Sequence, residues 1–141
     1  MSDAMPATET TKAPPLKGGV VPYLRIEGVA AAIDFYVRAL GAAEVGPRTP
    51  MQDGRIMNAR IDVNGGSIML MDPMPDYGAP AAPHEGFNLH LHVDDADRWF
   101  DRAVAAGCTV IMPMALQFWG DRYGMVKDPF GVTWGFGTTP A

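Results

Sequence analysis

Cysteine is nearly missing. Cys108 is the single one in 141 residues, so no disulfide can close within the chain, and a scaffold stapled by bridges is excluded. With Gly107 and Thr109 as neighbours, nothing cationic adjoins this thiol to lower its pKa, and it reads as a buried structural residue. Long apolar runs are missing as well. No stretch approaches the ~18 residues that a membrane-crossing helix needs, and the expectation is a cytoplasmic protein without membrane contact. Basic charge is scarce: 11 Lys and Arg stand against 16 Asp and Glu, a formal net charge of -5. That leaves no basic stripe for a phosphate backbone, and nucleic acid is not an expected partner. Disorder is excluded by composition, since hydrophobic residues make up 48% and charged residues 19%, near the globular average. The first eighteen residues, rich in Thr and Pro, lack the apolar segment of a secretory leader. Residues 1–18 are expected to be a flexible tail and 19–141 a single domain.

Within that domain the residue patterns repeat. Pro22, Leu24 and Ile26 alternate with Val21, Tyr23 and Arg25, the period of a strand with two unlike faces. Val29, Ile33, Tyr36, Val37 and Leu40 fall at helical spacing, and Gly41 stands where a left-handed cap would end the helix. Asn64-Gly65 between two alternating runs is a strong hairpin signal. A two-residue loop sets Val63 opposite Gly66, Ile61 opposite Ile68, Arg60 opposite Met69, Ala59 opposite Leu70 and Asn58 opposite Met71. Ile61, Ile68, Ala59 and Leu70 then form an apolar face, while Asn58, Arg60, Asp62, Ser67, Met69 and Met71 lie on the other.

A Pro/Gly-rich stretch, 72–86, reads as a connector, after which the order restarts. Asn88 to Val93 alternates strictly. Asp94 or Asp95 caps a helix carrying Trp99, Phe100, Ala103 and Val104 and ending at Gly107, and Thr109 to Met112 is the next strand. Strands at Arg122–Lys127 and Val132–Phe136 flank the turn Asp128-Pro129-Phe130-Gly131. The sequence therefore reads as βαβββ twice, modules of about 19–72 and 87–138, an α+β fold with each helix on one face of its own strands. The opposite faces carry Tyr23, Arg25, Asn58 and Arg60 in the first module and Asn88, His90 and His92 in the second. If the sheets curl toward each other, these residues line a cup.

The segments PYLRIEGVAAAIDFYVRALGAAEV, NLHLHVDDADRWFDRAVAAG and FWGDRYGMVKDPFGVTWGF resemble the vicinal oxygen chelate superfamily, in its PhnB-like, glyoxalase/bleomycin-resistance-like branch. The resemblance spans Gly19 to Thr138. It implies an open, cup-shaped mixed sheet with helices on the outer face, a small-molecule ligand, a homodimer and, in many members, a divalent metal. The metal ligands of the family fall here at Val21, at Met69 or Leu70, at Asn88 and at Gly135. Of these only Asn88 offers even a neutral carbonyl oxygen, so the resemblance implies no cofactor through the usual positions. What it implies is a metal-independent binder of a small organic molecule, in the manner of sequestration or resistance proteins. The alternative is a lyase, isomerase or oxygenase of the glyoxalase type, using a displaced metal site or a histidine general base.

The residues expected to meet a ligand are Tyr23, Arg25, Asn58, Arg60, Met69, Asn88, His90, His92, Trp119 and Arg122. His90 and His92, two apart on one strand, share a face and are the candidates for catalysis or for a displaced metal; the competing reading makes them neutral lining residues. Arg25 and Arg60 offer guanidinium forks to an anion; the competing reading is a surface arginine or one paired with Asp62. Arg122 either reaches the ligand or pairs with a nearby acid such as Asp121 to hold the strand entry. Trp119 either walls the cup or packs in the core. Met69 and Met71 suit an adaptable pocket.

Overall fold

Each expected strand and helix forms from the residues that carry its pattern, in the computed structural model, which describes residues 13–141. The first module comprises β1 (Tyr23–Arg25), α1 (Val29–Leu40), the short β2 (Ala43–Glu44) and β3 (Thr49–Pro50), β4 (Ile56–Val63) and β5 (Gly66–Met71). The second comprises β6 (Leu89–His92), α2 (Ala96–Ala106), β7 (Thr109–Leu116), β8 (Arg122–Lys127) and β9 (Thr133–Thr138). The strands make two mixed sheets, ordered β1-β5-β4-β2 with β3 also on β4, and β6-β9-β8-β7. Neither closes into a barrel. In each, the first strand of the module runs parallel to the last, β1 beside β5 and β6 beside β9.

The hairpin takes the expected register, with Val63 opposite Gly66, Ile61 opposite Ile68, Arg60 opposite Met69 and Ala59 opposite Leu70. Asn64 and Gly65 both adopt positive φ, the conformation that a two-residue hairpin loop demands and that this pair tolerates. Helix α1 buries Val29, Ala32, Ile33, Phe35, Tyr36, Ala39 and Leu40. Val37, expected in that stripe, is exposed. At about 100° per residue Val37 falls past the edge of a face that Phe35 and Ala39 extend the other way. Gly41 ends the helix at φ 65, its N–H donating to the Val37 carbonyl at 3.2 Å while the Ala42 N–H donates to the Tyr36 carbonyl at 3.3 Å. Asp95, not Asp94, caps α2 by accepting from the Arg98 N–H at 3.1 Å.

Several boundaries differ from expectation: β1 is shorter than Val21–Ile26, and β9 runs over Thr133–Thr138 in place of Val132–Phe136. Strand β6 is shorter, leaving Asn88 and Val93 outside it, whereas β7 runs on to Leu116 through register shifts around Met112 and Ala115. The two-residue strands β2 and β3 carry too few residues to show a period at all. Residues 1–12 of the expected tail lie outside the described residues. Residues 13–18 are not free: the carbonyls of Pro14 and Pro15 accept from Arg60, and Lys17 and Ser67 exchange backbone and hydroxyl hydrogen bonds. Polar composition suggested a tail because the partners that satisfy this segment lie fifty residues away.

One hydrophobic core joins both modules. Trp134, Tyr36, Phe136, Ile26, Ile33, Leu40, Ile61 and Leu70 are fully buried within it. A buried carboxylate pins the modules together: Asp128 accepts from the Tyr36 hydroxyl at 2.6 Å and Trp134 Nε1 at 2.8 Å, and from the backbone N–H groups of Phe130 and Val132 at 2.8 and 3.0 Å. The Asp-Pro-x-Gly turn is thus a docking point for α1 as well as a reversal of the chain. Among the described residues no helix is long and apolar enough to cross a membrane.

Candidate functional site

Strand alternation sorts the second sheet into two surfaces. Leu91 and Val93 are buried in the core, while His90 and His92 are exposed on the opposite face. Strand β9 beneath them alternates the largest residues with the smallest. Trp134 and Phe136 enter the core, and Gly135 and Gly137, paired with His90 and His92, face outward. These glycines clear the floor on which neighbouring rings lie. A Cβ on Gly135 would stand 2.5 Å from the Tyr123 hydroxyl oxygen, and one on Gly137 would stand 2.8 Å from the His90 ring.

The rings form a connected surface. His90 stacks on Tyr123 with centroids 5.6 Å apart and planes at 20°, and Trp119 tilts against Tyr123 at 6.0 Å. The Asn88 amide donates to the Tyr123 hydroxyl at 2.9 Å. His90 Nε2 and His92 Nδ1 are 3.0 Å apart, and His92 Nε2 is 2.8 Å from Thr139 Oγ1. Within the histidine pair one nitrogen donates and the other accepts, so at least one of the two rings carries a lone pair for its neighbour. Partial desolvation, then the nearness of His92, hold the His90 imidazole below its ordinary range against an opposing pull from Asp121.

The first sheet holds the other expected residues in a separate cluster. The Asn58 amide donates to Tyr23 Oη at 2.9 Å and lies 3.8 Å from Met69 Sδ. Arg60, only 6% exposed, pairs with Asp62 through Nε at 2.9 Å and Nη2 at 3.0 Å. That pairing holds the Asp62 carboxyl below its usual range, with the Ser67 hydroxyl and Lys17 adding to it against partial burial. A cleft of about 430 Å³ lies over Asn58, Arg60 and Met69, between residues 13–16 and the Val45–Thr49 segment.

Two expected ligand contacts are committed elsewhere. Arg25 donates from Nη1 to the Pro80 carbonyl at 2.8 Å and so ties the connector to β1. Arg122 lies on the helix side of β8, where it pairs with an acid, as the alternative to ligand contact expected; the acid is Asp97 of α2, at 2.7 and 2.9 Å, in place of Asp121. Parity accounts for this: Arg122 shares its face with Gly124 and Val126, against which α2 packs. Tyr123 and Thr139 were missed. The alternation Trp134-Gly135-Phe136-Gly137 is the signal that could have found Tyr123, because a strand face stripped of side chains implies rings from its neighbours.

At the positions where the family resemblance puts metal ligands, Val21 and Gly135 bring no donor, Met69 brings a thioether, and Asn88 turns its amide to Tyr123 and Met125. Such a set does not fit a hard or borderline divalent cation. Among the described residues no three His, Cys, Asp or Glu side chains gather closely enough to hold a metal.

Comparison with known proteins supports the resemblance. The model of the Glyoxalase/Bleomycin resistance protein/Dioxygenase superfamily matches residues 20–136. The uncharacterized protein Rv0887c of Mycobacterium tuberculosis (strain ATCC 25618 / H37Rv) is 43% identical over 122 residues, covering 82% of this chain and 71% of that protein. The crystal structure of PA1353 from Pseudomonas aeruginosa superposes with a TM-score of 0.71 at 33% identity, over 84% of this chain and 96% of the other. That of TioX from Micromonospora sp. ML1 does so with a TM-score of 0.67 at 27% identity, over 88% and 98%.

Proposed function

Since the chain belongs to the Glyoxalase/Bleomycin resistance protein/Dioxygenase superfamily, we propose that it binds a small organic molecule on the open face of its second sheet, without a divalent metal, and holds the ligand rather than converting it. The observation that carries this reading is the Tyr123 ring lying over Gly135 with His90 stacked upon it. The position where the resemblance puts a carboxylate is taken by an aromatic shelf. A flat organic group stacks on such a shelf at little entropic cost, with Trp119 as a wall and Asn88 and His92 as polar contacts. A thermal-shift screen of small aromatic compounds on chelator-treated protein tests this. The expected hit stabilises the protein equally with and without added Zn, Ni or Mn, and the gain vanishes in Tyr123→Ala. A response that requires stoichiometric metal held by His90 and His92 overturns the metal-free reading.

One observation favours a second reading, in which the same site abstracts a proton. The chain His90, His92, Thr139 is hydrogen bonded throughout, and a depressed His90 is neutral at pH 7 and able to act as a base on an acidic C–H. Exchange of ligand C–H for deuterium, followed by NMR and abolished in His90→Gln, separates an isomerase or lyase from a binder.

We also propose that the protein is a cytoplasmic homodimer. Strand β7 is an outer strand of its sheet and exposes Val110, Ile111 and Leu116, followed by Phe118 at 96% and Trp119 at 51% exposure. An apolar outer strand of this length calls for cover, and a second copy of the chain supplies an equal apolar surface.

A further inference from the structure

The segment Ala13–Lys17 crosses the open face of the first sheet and is held there at both ends. At its start, the Pro14 and Pro15 carbonyls accept from Arg60 Nη1 and Nη2. At its end, the Lys17 N–H donates to Ser67 Oγ at 2.9 Å, the Ser67 N–H donates to the Lys17 carbonyl at 3.0 Å, and Lys17 Nζ lies 3.6 Å from Asp62. The guanidinium therefore spends one edge on Asp62 and the other on two neutral carbonyls. Among the described residues the charge at the cluster does not cancel, because there Arg60 and Lys17 share the single carboxylate Asp62. The excess positive charge sits beside a cleft of about 430 Å³.

A carboxylate or phosphate oxygen would serve these same guanidinium donors better than a peptide carbonyl does, since a hydrogen bond between charged partners is roughly twice as strong as one to a neutral acceptor. We propose that Arg60 is the centre of an anion-binding site distinct from the histidine shelf, and that residues 13–17 form a strap that occupies it until an anionic group displaces the proline carbonyls. The two prolines suit this role. Their restricted φ keeps the strap extended, so it docks with little loss of chain entropy and leaves as a unit.

The site and the strap are separable by experiment in the full chain, with inorganic phosphate and benzoate as probes of the two anion types. NMR titration of the wild-type protein is expected to shift the Arg60 Nε–H resonance. It should also speed amide exchange at Ser67, whose N–H is covered only while the strap is docked, by about tenfold or more. Replacing both prolines, Pro14→Gly with Pro15→Gly, should loosen the strap and tighten the apparent Kd by about tenfold, because less of the binding free energy goes into opening it. Arg60→Gln should abolish the shift. An Arg60 resonance that ignores both anions overturns the site. An Arg60 shift with Ser67 exchange unchanged overturns the strap, and so does an unaltered Kd in the proline variant, which remains informative if Arg60→Gln fails to fold. None of these readings depends on ligand binding at His90 or Tyr123.

Discussion

The hydroxyl of Tyr123 comes to 2.5 Å from the point at which a Cβ on Gly135 would stand. The two positions cannot both carry a full side chain in this arrangement, and the ring has taken the space. The consequence runs outward, since His90 stacks on that ring and Asn88 hydrogen bonds to its hydroxyl.

Gly135→Ala is therefore expected to push the Tyr123 ring aside, break the Asn88 hydrogen bond and cost about 1–3 kcal/mol, the usual range for an overpacked site. In a Tyr123→Ala background the same change should cost almost nothing. Urea denaturation of the two single variants and the double variant measures this coupling, and additive costs would show that the two positions do not compete.

The two faces of β6 should respond unequally to truncation. Leu91→Ala removes packing from the core and should cost roughly 2–5 kcal/mol. His90→Ala and His92→Ala strip an exposed surface and should cost under about 1.5 kcal/mol each. The measurement is the shift in denaturation midpoint at constant slope, and the opposite ranking would place the strand one residue out of register.

Asp128 should be the most sensitive polar position. Asp128→Ala strands four donors in the core and is expected to cost about 3 kcal/mol or more, while Tyr36→Phe removes one of the four and should cost about 1–2 kcal/mol. Thermal unfolding of the two variants ranks them, and equal losses would contradict a shared anchor.

Stability should fall at both ends of the pH scale. Burial, then the charge of Asp128, pushes the Cys108 thiol from 9.0 up to about 12. The folded protein thus keeps a proton that the unfolded chain releases, and this contribution is complete below pH 9 and lost as pH rises toward about 12. Tyr36 acts in the same sense above pH 10, its phenol raised by burial and by Asp128. His90 acts at the acid end. Depressed from 6.5, it favours the fold above that pH and loses the contribution as pH falls through its lowered value. Denaturation from pH 5 to 11 should show a smaller alkaline loss in Cys108→Ala, and NMR titration should show the His90 pKa rising in His92→Gln.

Light scattering should give the mass of two chains at micromolar protein. Ile111→Glu and Leu116→Glu, which set charges on the exposed face of β7, should convert it to one. A single-chain mass for the unmodified protein would remove the proposed dimer.

Elements with a complete local period were legible in the residues alone. The Asn64-Gly65 loop set the register of β4 and β5, because its two residues tolerate positive φ and a strand repeats every two positions. The same parity put His90 and His92 on the open face and Leu91 in the core. Other features depended on partners distant in sequence, which no local pattern encodes. Asp72 stood in the expected connector, yet its carboxylate accepts from the N–H groups of Gly28 and Val29 at the start of α1 and of Ile56 at the start of β4. For Arg60, Arg25 and Arg122 the sequence offered alternatives, a ligand or an acid, without deciding between them. Only the tertiary structure assigned them to Asp62 and the strap, to the Pro80 carbonyl, and to Asp97. An arginine has five donors and a long, flexible stem, so its role is decided by which acceptors the fold brings within reach.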